Sequence, residues 1–281
     1  MRVEPYDLSA LPYKPVQIKR GGITGIGHPD LVHSLVKLLN VTEYDQELKI
    51  VVLKKRPNLI LQTSLSAGNG FPWPKQVIKR FKWRGIQNFL LSPLKDSKAF
   101  KSYLAACHLL RHGLLTPMPL GAVNLRKLRF IRSNVYVTES IENYIDLKSY
   151  RDSTPHGPAG MTEVLKMLAE YVTRMHDSGL LHRDLNLSNF LLAGARGEYK
   201  LYLIDLNRCR LKSRLSSEQR AIDLARLDLK TWQELFFRHY CSDRFDQETM
   251  LRIANLCRFR RHSWRQVAKR TNNFRKRMKL K

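Results

Sequence analysis

The chain has 281 residues, enough for one two-lobed domain or two small ones and for a large buried core. Its 43% apolar and 26% charged residues are those of a globular protein, but 50 Lys and Arg against 24 Asp and Glu leave a net charge of +26. Such an excess calls for a polyanionic partner: nucleic acid, an anionic membrane surface or a phosphorylated substrate. No window approaches the roughly 20 apolar residues that span a bilayer. The opening MRVEPYDLSALPYKP lacks a signal-peptide run. Cys107, Cys209, Cys241 and Cys257 form no C-x-x-C pair or metal-ligand cluster and read as reduced thiols. The expectation is a cytoplasmic protein able to sit on a membrane surface.

Residues 1 to about 30 carry Pro5, Pro12, Pro15, Gly21, Gly22, Gly25, Gly27 and Pro29 and read as an irregular arm. Asp30 can cap a short helix that places Leu31, Leu35, Leu38 and Leu39 at helical spacing. Lys49–Leu53 and Leu59–Thr63, joined at Arg56-Pro57-Asn58, predict a hairpin. Ser66–Pro74 predicts a loop, and Gln76–Phe81 a third strand with Lys79 among apolar neighbours. A helix is expected over 97–112, stopped by Gly113, Pro117 and Pro119. Leu128–Ile131 and Val135–Val137 read as strands, and Thr138-Glu139-Ser140-Ile141 as a connection to a helical half.

No proline follows Pro158. Val164, Leu165, Leu168, Val172 and Met175 mark one face of a long helix over 161–178, closed by Gly179. Leu180-Leu181 leads into His182-Arg183-Asp184-Leu185-Asn186-Leu187-Ser188-Asn189, and Leu203-Ile204-Asp205 ends an apolar run in a carboxylate. Further helices are expected near 217–240 and 246–260, then a tail, 258–281, with 11 Lys or Arg and no carboxylate. Strands with one helix come first, then mostly helices, an α+β order. It divides into an arm with a short helix (1–48), a sheet lobe (49–139), a helical lobe (140–257) and the basic tail (258–281).

H-R-D-x-x-x-x-N is the catalytic-loop pattern of protein kinases. Phosphoryl transfer from ATP needs a metal to neutralise the phosphates, a cation on them, and a group that takes the acceptor hydroxyl's proton. Asp205 can ligate Mg²⁺, Asn189 can give a neutral oxygen to a second ion, Lys79 can reach the α- and β-phosphates, and Asp184 can accept the proton. His182 and Arg183 brace the loop. Taken singly these signals are weak: a Lys in a strand is more often a solvent-facing edge residue, and an Asp after a strand is usually only a strand end. Their joint order carries the reading.

The chain resembles the bacterial lipopolysaccharide core kinases, the Kdo and heptose kinases. The residues that carry this are Val77-Ile78-Lys79-Arg80-Phe81, Leu109–Gly113 with Thr116-Pro117-Met118-Pro119-Leu120, His176–Asp184, Leu203–Arg208 and Asp223-Leu224-Ala225-Arg226-Leu227. The resemblance implies a bilobal protein-kinase-like fold, with a small, mainly β N-lobe, a larger α-helical C-lobe and ATP in the cleft. It implies Glu139 and Ile141 in the hinge that meets the adenine. The implied acceptor is a sugar hydroxyl, heptose or Kdo, of the lipopolysaccharide inner core at the cytoplasmic membrane face.

Two departures stand out. The Arg56-Pro57-Asn58 turn has no phosphate-binding glycines, and Gly68-Asn69-Gly70 falls after the second strand. Ser102 stands where related chains can carry the helix Glu that pairs with the strand Lys, so Lys79 is left to Asp96, Asp205 or phosphate alone. Without a proline after Pro158 there is no A-P-E motif, which argues against a protein substrate. The tail is expected to dock on anionic lipid at about 1 kcal/mol per cation, with Trp264 and Val267 as apolar contacts. Nucleic acid is disfavoured, because neither zinc-finger spacing nor an RNP-like aromatic motif accompanies the charge. The alternatives are another small-molecule phosphotransferase and a pseudokinase that binds nucleotide or glycolipid.

Overall fold

The structure is a computed structural model that describes residues 8–42, 50–64, 71–82, 96–128, 130–153, 155 and 157–278, with the side chains of Arg265 and 267–278 excepted. The expected loop glycines Gly68-Asn69-Gly70 lie outside the described residues, as does the Val267 side chain. The chain forms two units, residues up to Ile145 with Asn189–Arg210, and Asp146–Ser188 with Leu211 onward. This division differs from the expected boundaries near 139 and 257, because the segment after the catalytic loop returns to the first unit.

The first unit is built on a seven-stranded antiparallel sheet. Its strands are β1 (Val16–Arg20), β2 (Ile23–Gly27), β3 (Val51–Lys54), β4 (Leu59–Thr63), β5 (Gln76–Arg80), β6 (Pro119–Lys127) and β7 (Phe130–Glu139), in the order β1-β2-β6-β7-β5-β4-β3. The irregular arm expected over the first 30 residues is thereby corrected. Gly21 and Gly22, at φ 55° and 79°, make a tight turn that pairs Arg20 with Ile23. Positive φ at both turn positions matches the strand twist, and glycine takes it without steric cost. Beyond the helix stop that Pro117 and Pro119 mark in the sequence, Pro119 also opens β6, a strand with no counterpart among the expected elements. Proline is tolerated as the first residue of a strand.

Helix α1 (Val32–Lys37), flanked by single 3₁₀ turns, buries Leu31, Leu35, Leu38 and Leu39 on one face of this sheet, against Leu61, Ile78, Val123, Val135 and Val137. Close approach is possible because β2 and β6 carry Gly27 and Gly121 where a Cβ would strike Leu35. Helix α2 (Lys98–Arg111) starts at Ser97, whose hydroxyl accepts the Phe100 N–H, and seats Ala99, Tyr103 and Cys107 in a second cluster with Phe81, Ala122 and Tyr136. A hairpin, β8 (Phe190–Ala193) and β9 (Lys200–Leu203), pairs Phe190 with Leu203.

The second unit is helical. α3 (Leu147–Ser153) precedes the long α4 (Gly157–Asp177), which buries Val164, Leu165, Leu168, Val172 and Met175 as its periodicity predicts. α4 packs against α6 (Gln233–Cys241), where Phe236, Phe237 and Tyr240 are buried. α5 (Ser217–Leu224) opens on a full capping box, Ser216 with Gln219. α7 runs unbroken from Gln247 to Met278, so the expected tail is the continuation of a helix about 48 Å long.

Candidate active site

In the first unit, β5 is an interior strand, with Lys79 opposite Ile60 on β4 and Tyr136 on β7. Lys79 is therefore no edge residue. Its ammonium lies 2.6 Å from Asp205 Oδ1, with the Phe81 ring 5.3 Å away. Of the partners left open by the sequence, Asp205 is the one in place. Ser102 is buried and spends its hydroxyl on the Lys98 carbonyl at 2.8 Å, while Asp96 is exposed.

Asp205 follows β9 in the left-handed region, at φ 64°. A non-glycine residue there stores about 1–3 kcal/mol, which surrounding contacts must offset. They come from the Lys79 pair and from the Asn207 side-chain amide, which donates to Asp205 Oδ1. The Thr116 hydroxyl grips the Leu203 carbonyl at 2.7 Å, and the Leu203 N–H donates to the Leu115 carbonyl at 3.1 Å. The T-P-x-P-L segment thus fixes the strand end that presents Asp205. The Ile204 N–H donates to the Asn189 carbonyl at 2.9 Å, so Asn189 and Asp205 leave the same end of the β8–β9 hairpin. Hard oxygen donors at one hairpin end suit Mg²⁺, which takes one or two protein ligands and completes its shell from phosphates and water.

Glu139 ends β7. Its N–H donates to the Met118 carbonyl, and its carboxylate accepts the Met118 N–H at 2.8 Å. Burial pushes the Glu139 carboxyl up against the opposing effect of that Met118 bond. The Glu139 N–H is thus engaged, while the Ile141 backbone makes no such bond among the described residues.

In the second unit, His182, Arg183 and Asp184 follow the two-residue strand Leu180-Leu181. Arg183 is left-handed at φ 61°. Asp223 on α5 compensates, accepting the His182 and Arg183 N–H groups at 2.8 Å each on its two carboxylate oxygens. Hydrogen bonds to a charged acceptor contribute about 1.5–3 kcal/mol each, enough to offset the strained residue. Behind Asp223 lies His176 Nε2 at 3.4 Å, and His176 Nδ1 is 2.7 Å from the Tyr240 hydroxyl. Burial pushes the Tyr240 phenol up and keeps it a donor, so His176 accepts at Nδ1 and donates to Asp223 from Nε2. Burial alone would raise the Asp223 carboxyl. The hydrogen bond from His176, with that of the His182 N–H, outweighs that and holds it below the ordinary value of 3.8. Finally, Arg226, one turn beyond Asp223, donates from Nη1 to Asp184 Oδ1 at 3.2 Å. Both groups are about one third exposed, at 30% and 31%.

The first unit thus gathers a cation and two oxygen donors, and the second holds one accessible carboxylate on a braced loop. The profile of the lipopolysaccharide kinase (Kdo/WaaP) family matches residues 76–244, more than half of the chain. The chain belongs to this family. Among curated relatives, the 3-deoxy-D-manno-octulosonic acid kinase of Haemophilus influenzae strain 86-028NP is 31% identical over 126 residues, 44% of this chain and 51% of that protein. The Mannheimia succiniciproducens enzyme of the same name is 29% identical over 123 residues, 43% of this chain and 49% of its own. That of Actinobacillus succinogenes is 27% identical over 176 residues, covering 57% and 70%. The chain spans about half the length of the first two. The solved structure of WaaP in complex with acyl carrier protein overlays on 73% of this chain and 83% of that one, with a TM-score of 0.54 at 20% identity. The kinase-like α+β fold of this family is shared: a mainly sheet first part and a helical second.

Sequence reasoning missed the working parts of Asp223, Arg226, Thr116 and Asn207. All four stood inside segments that carried the family resemblance. Their spacing gave no sign of which backbone groups or side chains they serve.

Proposed function

We propose that the protein transfers the γ-phosphoryl group of ATP to a sugar hydroxyl of the lipopolysaccharide inner core. The observation that carries this reading is the pair of braced carboxylates: Asp205 held by Lys79 at 2.6 Å, and Asp184 on a loop whose N–H groups Asp223 accepts at 2.8 Å. Asp205 and Asn189 would hold Mg²⁺, which would supply charge neutralisation for the phosphates. Lys79, already turned toward Asp205, adds a cation on the α- and β-phosphates. Ile141, and Glu139 through what its backbone leaves open, meet the adenine. Asp184 takes the acceptor hydroxyl's proton, with Arg226 orienting the carboxylate, while His182 and Arg183 lend it their backbone. The relatives named as 3-deoxy-D-manno-octulosonic acid kinases favour that sugar over heptose as acceptor.

Such an acceptor is anchored in a membrane, and α7 suits a peripheral position on the inner face. Leu256, Phe259 and Trp264 are exposed on it, at 57%, 71% and 72%, beside cations. Among the described residues no helix is long and apolar enough to cross a membrane. Arg258 and Arg261 also donate to the Leu227 and Ala225 carbonyls just past α5, which ties the start of the basic stretch to the second unit.

The pseudokinase alternative rested on the absent helix carboxylate. The pairing of Lys79 with Asp205 weighs against it. The deciding experiment incubates purified protein with ATP, Mg²⁺ and core glycolipids ending in 3-deoxy-D-manno-octulosonic acid or in heptose, and locates new phosphate by mass spectrometry. Phosphate on the former supports the reading in full, on the latter alone corrects the sugar, and on neither overturns it.

A further inference from the structure

At the start of α5 the second unit holds a polar basin of about 1040 Å³, within the size range of small-molecule sites. Three guanidinium groups line it, those of Arg214, Arg220 and Arg244, facing one carboxylate, Asp177. The basin is built rather than merely charged. Arg220 is only 6% exposed, with Nη1 2.9 Å from Asp177 Oδ1. Arg244 spans both Asp177 oxygens, at 2.8 and 2.9 Å. Both guanidinium groups lie on the Phe245 ring, at 5.1 and 5.6 Å. The buried Arg220 Nε has no hydrogen-bond partner among the described residues. Arg214 is exposed and enters no ion pair there.

The same basin is lined by Ser216 and Ser217, at the N-terminus of α5. The capping box satisfies the Gln219 N–H, while the first helical N–H groups have no intrahelical acceptor. Pre-positioned guanidinium forks together with a helix N-terminus are the chemistry that binds phosphate. Asp177 cancels one of three positive charges and locks the forks in place.

We infer that this basin is a binding site for a phosphomonoester, and that it holds a phosphate group of the acceptor glycolipid away from the hydroxyl being phosphorylated. The inference rests on the proposed acceptor. α5 sets the scale, because its start lines the basin and Asp223, seven residues on from Ser216, cradles the catalytic loop. Seven residues of helix rise about 10 Å, a distance that a short run of sugars covers.

The test uses the full chain, with Arg214→Ala as the probing variant and Lys166→Ala, an exposed cation on α4 outside the basin, as control. Inorganic phosphate is titrated by calorimetry, and transfer from ATP is measured to one core glycolipid with and without its phosphomonoesters. Arg214→Ala is expected to weaken phosphate binding about tenfold, and to raise KM for the phosphorylated acceptor by a similar factor. KM for ATP, KM for the dephosphorylated acceptor and all properties of Lys166→Ala stay unchanged. Unaltered phosphate affinity in Arg214→Ala overturns the site. Weakened phosphate binding with no difference between the two acceptors keeps the site but assigns it to soluble phosphate, overturning the headgroup. Weakened phosphate binding with no transfer to either acceptor leaves the basin standing and removes the acceptor reading.

Discussion

Asp205 in the first unit and Asp184 in the second are both carboxylates presented from strained backbone, yet they are secured in opposite ways. Asp205 is itself left-handed and is held through its own side chain by Lys79 and Asn207. Asp184 follows a left-handed Arg183, and its loop is held through backbone N–H groups by a third carboxylate, Asp223, buried at 3% exposure. The Lys79–Asp205 pair steadies strained backbone but is partly open to solvent, at 14% and 33%, so phosphate and metal can compete for it. A buried carboxylate with two N–H donors is neither weak nor exchangeable. On the proposed function, the nucleotide half can exchange its contacts on binding, and the hydroxyl half stays put.

Mutations can break this contrast. The largest effect is expected at Asp184, where Asp184→Ala lowers kcat by about 10³-fold while nucleotide affinity, read by fluorescent-analogue titration, holds. Asp223→Ala orphans two backbone donors and unfolds the second unit more easily by about 3–5 kcal/mol, read in urea melts. Its pH dependence follows from the sign of the shift. A carboxyl held below its ordinary 3.8 contributes stability that is complete above that value and is lost as pH falls through the lowered one. Acid unfolding of the second unit is expected only below about pH 4, and Asp223→Asn, with no carboxyl to protonate, removes that step.

The first half behaves otherwise. Lys79→Met is expected to raise KM for ATP and lower kcat, together costing about 10²-fold in kcat/KM, with stability falling by only about 1 kcal/mol, well short of the Asp223→Ala effect. If Lys79→Met destabilises the protein as Asp223→Ala does, the contrast between the halves fails. Arg226→Ala orients Asp184 less well and costs about tenfold in kcat, with partial recovery in Arg226→Lys. The smallest effect belongs to α7. Removing residues 267–281 spares the carbonyl bonds of Arg258 and Arg261 and is expected to weaken binding to anionic vesicles, by less as salt rises.

What the sequence showed of this follows the same division. Lys79 and Asp205, singled out by the residue types and order that phosphoryl transfer requires, are paired in the structure, and the roles proposed for Asp184 and Asn189 rest on the same order. The α1 leucines and the α4 face were legible because burial imposes a period of 3.6 residues. Asp223 and Arg226 lie about 40 residues from the groups they serve, and no local pattern joins a carboxylate to distant N–H groups. The β1–β2 hairpin hid behind its glycines, which mark an irregular arm and a tight turn equally well until a partner strand, β6, is known. The tail's charge was plain, but not that Arg258 and Arg261 also donate to carbonyls near α5.

The central claim is that these two halves together move a phosphoryl group onto a core sugar. Label transfer from γ-labelled ATP to purified inner-core glycolipid tests it most directly, with wild type and Asp184→Ala run side by side. The account requires labelled glycolipid with wild type and none above background with the variant. Equal labelling by both proteins, or labelling by neither, contradicts it.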